Sequence, residues 1–185
     1  TYLLHARTID KAGHAYGWHS DEWQVALERV DMRLGSCTGK SRGTLIVVIA
    51  DHGMATADQG DEARIDMALD PVLQQGVRLV GGEPRATMLY AQDGVDAESI
   101  AERWRARLGD RAWIRTKQQV IDCGLLGPMR PDVPEMLGDV FVYAARENTI
   151  VDTRSQTEGA TRMPGVHGSQ TMMEMDVPCL IDLVD

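Results

Sequence analysis

Three short clusters of carboxylates, imidazoles and glycines stand out in the sequence. They are Asp10-Lys11-Ala12-Gly13-His14, Asp51-His52-Gly53-Met54 and Gly165-Val166-His167-Gly168. Carboxylate oxygen and imidazole nitrogen are the usual zinc ligands where thiolates are absent. Glycines beside them permit sharp turns and close backbone approach. A phosphate ester needs its charge neutralised and its leaving oxygen stabilised, and two metal ions about 4 Å apart do both. Each cluster alone is a weak signal. The first also reads as a turn with a surface histidine, the second as a solvated strand end and the third as a flexible loop. The three together, in this order and spacing, point to metal-assisted chemistry on phosphate.

The elements around the clusters fit an α/β frame. Residues 2–9 are apolar and β-prone and predict a strand ending at Asp10, followed by a loop from Lys11 to Trp18. A helix is expected from about Asp21 to Leu34, with Ser20 as N-cap and Asp21 and Glu22 in its first turn. Trp23, Ala26, Leu27, Val30 and Leu34 recur at helical spacing as a core-facing stripe, and Gly35 can end the helix. Gly39-Lys40-Ser41-Arg42-Gly43 reads as a turn. Residues 44–50 are a nearly unbroken β-branched run, expected to be a strand buried on both faces as in a parallel sheet. It ends at Asp51-His52-Gly53, and ligands of open α/β sheets bind beyond the carboxyl ends of strands.

Residues 77–150 read as a smaller unit, with strands at 77–81, 86–91, 112–116 and 138–143 and a helix near 96–107. That helix carries Ile100, Trp104 and Leu108 on one face. Residues 153–170 are polar and glycine-rich and are expected to form an active-site loop. A last strand is expected at 178–184. The division that follows is a metal-binding α/β core over 1–76 and 151–185, with an inserted α+β lobe over 77–150.

Taken together, the motifs resemble a known family. Asp10-x-x-x-His14 is followed by Tyr16-Gly17 and Ser20-Asp21-Glu22, then by Val48-Ile49-Ala50-Asp51-His52-Gly53-Met54, then by Gly165-Val166-His167-Gly168 before Val177-Pro178. This is similar to the nucleotide pyrophosphatase/phosphodiesterase family of the alkaline phosphatase superfamily, over about residues 2–60 and 160–184. The resemblance implies a doubly wound, mostly parallel α/β sheet, incomplete here, and two divalent ions, most simply zinc. It places Asp10, His14 and His167 on one ion and Asp51 and His52 on the other. It also implies an earlier aspartate and a nucleophilic threonine or serine upstream of residue 1, in a missing N-terminal half of the same domain. Thr8, taken as buried in the first strand, is not promoted to nucleophile. The implied reaction is a two-step displacement at phosphorus, with a small phosphate ester, such as a nucleotide, as substrate. Phosphomonoester, sulfate-ester or phosphonate hydrolysis, a phosphomutase reaction, or a non-catalytic metal-binding segment are the alternatives. Specificity is expected to come from 77–150 and from loops outside the sequence.

Composition limits other classes. The formal net charge of −9 argues against a nucleic-acid scaffold. No apolar run reaches the ~20 residues needed to span a bilayer. The cysteines Cys37, Cys123 and Cys179 are odd in number and widely spaced, which argues against a disulfide framework and fits cytoplasm. His5 and His19 read as packed or surface histidines, the Met172-Met173-Glu174-Met175 run as packing, and Lys11 as solvated. Trp18 and Trp23 read as core residues at a helix entry, and Glu158, Arg162 and Met163 as a polar loop.

Overall fold

The computed structural model describes residues 6–38, 43–57 and 60–184. His5, the first half of the expected strand over 2–9 and all of the expected 39–43 turn except Gly43 lie outside the described residues. The remainder of that strand is helical. Arg7–Tyr16 forms α1, so the expected loop from Lys11 to Trp18 begins only at Gly17. A short apolar run does not distinguish strand from helix by periodicity. Here Arg7, Lys11, Ala12 and Ala15 are good helix formers, and Gly17 at φ 85° closes the helix with its N–H on Gly13 O at 2.8 Å. Thr8 is exposed on α1 rather than buried in a strand.

Asp21–Thr38 forms α2, entered at Ser20, whose Oγ accepts from Trp23 N at 3.2 Å. The helix continues through Gly35, which is tolerated in a helix at a cost of about 1 kcal/mol. Ala26 is buried, but Leu27 is 42% exposed and leaves the expected stripe.

Thr44–Ile49 forms β1. Its partner is not a parallel neighbour but the last strand, with which it pairs antiparallel from Thr44↔Val184 to Ile49↔Cys179. The expected burial on both faces is not present, because Leu45, Val47 and Ile49 are exposed. Ala55–Thr56 forms β2 and Arg64–Asp66 forms β3. A short helix, α3, spans Pro71–Gln74, with Asp70 capping it through Val72 N.

The next segment builds the main core. Strands β4 (Val77–Glu83) and β5 (Ala86–Ala91) are followed by helix α4 (Ala97–Leu108), strand β6 (Ala112–Thr116) and helix α5 (Lys117–Asp122). Helix α6 (Val133–Met136) precedes strand β7 (Val140–Ala144). The strands form an antiparallel sheet in the order β4-β5-β7-β6. Every residue of β7 is buried. Its side chains alternate faces: Val140 and Val142 join Leu89, Ile114 and the α4 residues Ile100, Ala101, Trp104 and Leu108, whereas Phe141 and Tyr143 join Val120 of α5. Trp104 is fully buried and its Nε1–H donates to Leu73 O at 3.1 Å, which satisfies the one polar atom its burial would strand.

Thr149–Val151 forms β8, which pairs parallel with β3, the one parallel pairing among the described residues. Gly165–Val166 forms β9, Met172–Met175 forms α7 and Cys179–Val184 forms β10. Strand β9 pairs antiparallel with β2, Ala55 against Val166 and Thr56 against Gly165. That register sets His167, one residue past β9, beside the Asp51–Met54 loop that leads into β2.

Candidate metal centre

Helix geometry puts residues four apart on one face, so α1 presents Asp10 and His14 side by side, with His14 Nε2 3.2 Å from Asp10 Oδ1. His167 Nε2 lies 3.7 Å and His52 Nε2 3.9 Å from the same oxygen. The His52 and His167 rings stack with centroids 3.5 Å apart, and His14 packs on His167 at 5.0 Å. One atom of each of Asp10, His14 and His167 falls within a 4.8 Å group. Asp51 is 83% exposed at its side chain, with Oδ1 3.9 Å from His52 Nε2. The structure therefore gathers Asp10, His14, His52 and His167 around one oxygen and leaves Asp51 at the rim.

Hydrogen bonds fix two of the ring orientations. His14 Nδ1 is 2.8 Å from Gly165 O, and His52 Nδ1 is 2.7 Å from Gly53 O. A carbonyl only accepts, so each Nδ1 carries a proton and donates it. In the neutral imidazole this leaves an Nε2 lone pair, and both Nε2 atoms face Asp10 Oδ1. That oxygen is buried and has no hydrogen-bond partner. Lone pairs facing a carboxylate oxygen require a proton or a cation among them. The His167 imidazole is held below the usual histidine range by burial and by the neighbouring His52 and His14, which outweigh the opposite pull of Asp10 and Glu83. A proton is therefore disfavoured on His167 near neutral pH, and a divalent cation fits the donor set. The separations of 3.2 and 3.7 Å to Asp10 Oδ1 lie either side of the roughly 3.4 Å ligand–ligand edge that tetrahedral bonds of ~2.1 Å produce.

Close backbone contact brings the three segments together. A Cβ on Gly165 would sit 2.2 Å from Gly13 O, and one on Gly13 would sit 2.3 Å from Met54 Sδ. A Cβ on Gly53 would sit 1.9 Å from Met173 O. Glycine at these positions lets α1, the Asp51–Met54 loop and β9 approach closely enough for their side chains to share a centre.

Two residues of consequence carry no sequence signal. Arg85 and Glu174 are 89 residues apart and form a buried two-pronged ion pair, Nε to Oε1 at 2.7 Å and Nη2 to Oε2 at 2.8 Å. Glu174 lies in the methionine run read as packing, where Met172, Met173 and Met175 are in fact exposed. Elsewhere Trp18 lies against His19 with the rings tilted by 34°, and Glu158 pairs with Arg162 at 3.4 Å.

Comparison with known proteins bears on the family and the fold. The type I phosphodiesterase / nucleotide pyrophosphatase family model matches residues 1–170. No curated protein matches the sequence significantly. Among solved structures, phosphonoacetate hydrolase from Sinorhizobium meliloti 1021 superposes with a TM-score of 0.69 at 19% identity, over 93% of this chain and 43% of that one. Murine ectonucleotide pyrophosphatase / phosphodiesterase 5 gives 0.64 at 15% identity, over 93% and 44%. The human counterpart gives 0.61 at 14%, again over 93% and 44%. At these identities the likeness is one of fold, an alkaline-phosphatase-like α/β architecture. The chain spans less than half the length of each of these structures.

Proposed function

The chain belongs to the type I phosphodiesterase / nucleotide pyrophosphatase family, and from that premise we propose that it supplies metal ligands to a hydrolase of phosphodiester or pyrophosphate bonds in small, nucleotide-like substrates. The observation that carries the proposal is Asp10 Oδ1, buried without a hydrogen-bond partner and faced by Nε2 of His14, His52 and His167. Asp10, His14 and His167 would hold one ion, and Asp51 and His52 would contribute to a second, zinc being the simplest choice for this oxygen and nitrogen set. When bound, such ions neutralise phosphate charge and stabilise attacking and leaving oxygens.

The chain's own residues set the conditions for that chemistry. Gly165 O and Gly53 O hold the His14 and His52 tautomers that keep Nε2 free. Burial keeps the His167 ring neutral. The helical spacing on α1 fixes Asp10 against His14. In this reading residues 1–76 and 151–185 form the metal-binding core, and 77–150 form a lobe that shapes specificity. A nucleotide-like substrate is supported by the complex of inactive murine ectonucleotide pyrophosphatase / phosphodiesterase 5 with AMP. The complex of the Sinorhizobium meliloti enzyme with phosphonoacetate favours a second reading, cleavage of a phosphonate. The free thiols of Cys123 and Cys179 fit a cytoplasmic setting.

Elemental mass spectrometry of the zinc-loaded chain tests the metal assignment. Wild type should retain bound zinc, His167→Ala should lose about one ion, and Asp51→Ala should weaken a different one. Absence of zinc from folded wild type sinks the reading. Turnover of a chromogenic phosphodiester against phosphonoacetate by the longer polypeptide then separates the two substrate classes.

A further inference from the structure

Glu174 grips the ligand loops on both sides of the cluster. Its backbone oxygen accepts from Gly53 N at 2.7 Å, next to His52. Its Oε1 accepts from Ser169 N at 2.9 Å, two residues after His167, and Oε2 accepts from Thr171 Oγ1 at 2.5 Å. The Arg85 guanidinium that pairs with this carboxylate also donates to Asn148 O at 2.7 Å and to Ala144 O at 3.1 Å, at the end of β7. Ser169 Oγ donates to the same Ala144 O at 2.7 Å. Arg85 is fully buried and Glu174 is 2% exposed.

We infer that the Arg85–Glu174 pair is a positioning device that sets the separation of His52 and His167 by tying both loops to the rigid end of the four-stranded sheet. A buried ion pair is weak evidence for stability, since packed apolar residues often serve as well. What the apolar alternative cannot do is accept the Ser169 N–H while the same residue accepts Gly53 N–H through its backbone. Glu174 reaches the segments beside His167 and His52, and Arg85 reaches the end of β7 and Asn148. The consequence for metal binding rests on the reading above. The consequence for ring positions does not.

The test uses two variants of the full chain. Glu174→Gln keeps the shape and removes the charge. The double variant Arg85→Met with Glu174→Met replaces the pair by apolar volume, so that the fold survives without it. Two properties are read in each: the ring-proton NMR shifts of the stacked His52 and His167 without metal, and zinc affinity by chelator competition. The expected result is loss of the stacking shifts and zinc binding weakened about ten- to a hundredfold, while the methyl resonances of β5 and β7 stay in place. A folded double variant with wild-type ring shifts overturns the inference. If wild type keeps the stacking shifts but takes up no zinc, the metal assignment fails while the ring shifts of the variants still decide the positioning role.

Discussion

The four-stranded lobe and the side of the molecule that bears the cluster are held by different forces. In the lobe, β7 is buried along its whole length and α4 seals one face with Ile100, Ala101 and Trp104, all fully buried. Around the cluster the ties are polar and short. They are the Arg85–Glu174 fork, the carbonyls that orient His14 and His52, and glycines pressed against backbone. The adjoining β1–β10 ribbon is different again, with Ile49, Leu180, Ile181 and Leu183 more than 60% exposed. The contrast teaches that apolar burial supplies the stability of this chain, whereas polar ties supply the placement of the clustered imidazoles. Apolar contact is non-directional and scales with area. Hydrogen bonds have narrow geometry and fix a loop at one distance.

Substitutions that strike each region in turn test this division. Trp104→Ala should cost the most, about 3–5 kcal/mol, because it empties a sealed site and strands the Leu73 carbonyl. Urea unfolding followed through the remaining tryptophans measures it, and a loss under about 1 kcal/mol would deny the lobe its dominant role. Gly165→Ala should cost about 1–3 kcal/mol, since the new methyl meets the Gly13 carbonyl. Unlike Trp104→Ala, it should also separate His14 from His167, which a loss of their mutual NMR contacts would report.

Acid should act on the cluster side before the lobe. Burial opposes ionisation of Glu174, but its bonds to Arg85, Thr171 and Ser169 prevail and hold the carboxyl below the usual range. A depressed pKa contributes stability that is fully present above the unfolded value and disappears as pH falls through the folded one. Amide exchange at Gly53 and Ser169 should therefore accelerate, relative to intrinsic rates, as pH drops below the usual carboxylate range, while β5 and β7 stay protected. Uniform loss of protection across both regions would contradict the division. The smallest effect belongs to the ribbon. Ile181→Lys should change stability by no more than about 0.5 kcal/mol, because the side chain it replaces is already 67% exposed. A larger loss in thermal unfolding would mean that the ribbon is covered in solution.

Much of the lobe was legible because its signals are local. Asp96 caps α4 where the helix near 96–107 is expected, and the strands expected at 86–91, 112–116 and 138–143 form as β5, β6 and β7, whereas α5, with its Thr116–Gln119 capping box, is not among the expected elements. Residues 7–9 are helical rather than the end of a strand because an apolar run followed by charges suits either period, and the helix formers of α1 and the Gly17 cap favour the helix. The β1 run reads as a fully buried strand by composition, yet its neighbour is supplied by residues more than a hundred positions later.

By itself the sequence determined which side chains can bind a metal, the order in which they occur, and the family to which the chain belongs, because residue type and motif spacing are local properties. Only the tertiary structure decided that Asp10 and His14 share a helical face, that Asp10 Oδ1 faces three imidazoles, that Asp51 stands at the rim, and that Arg85 and Glu174 brace the loops between them. Among these contacts Arg85 joins Glu174 across 89 positions, and the tie of His14 to Gly165 spans 151. Their distances follow from sheet register and backbone approach, and no property of the separate segments fixes them.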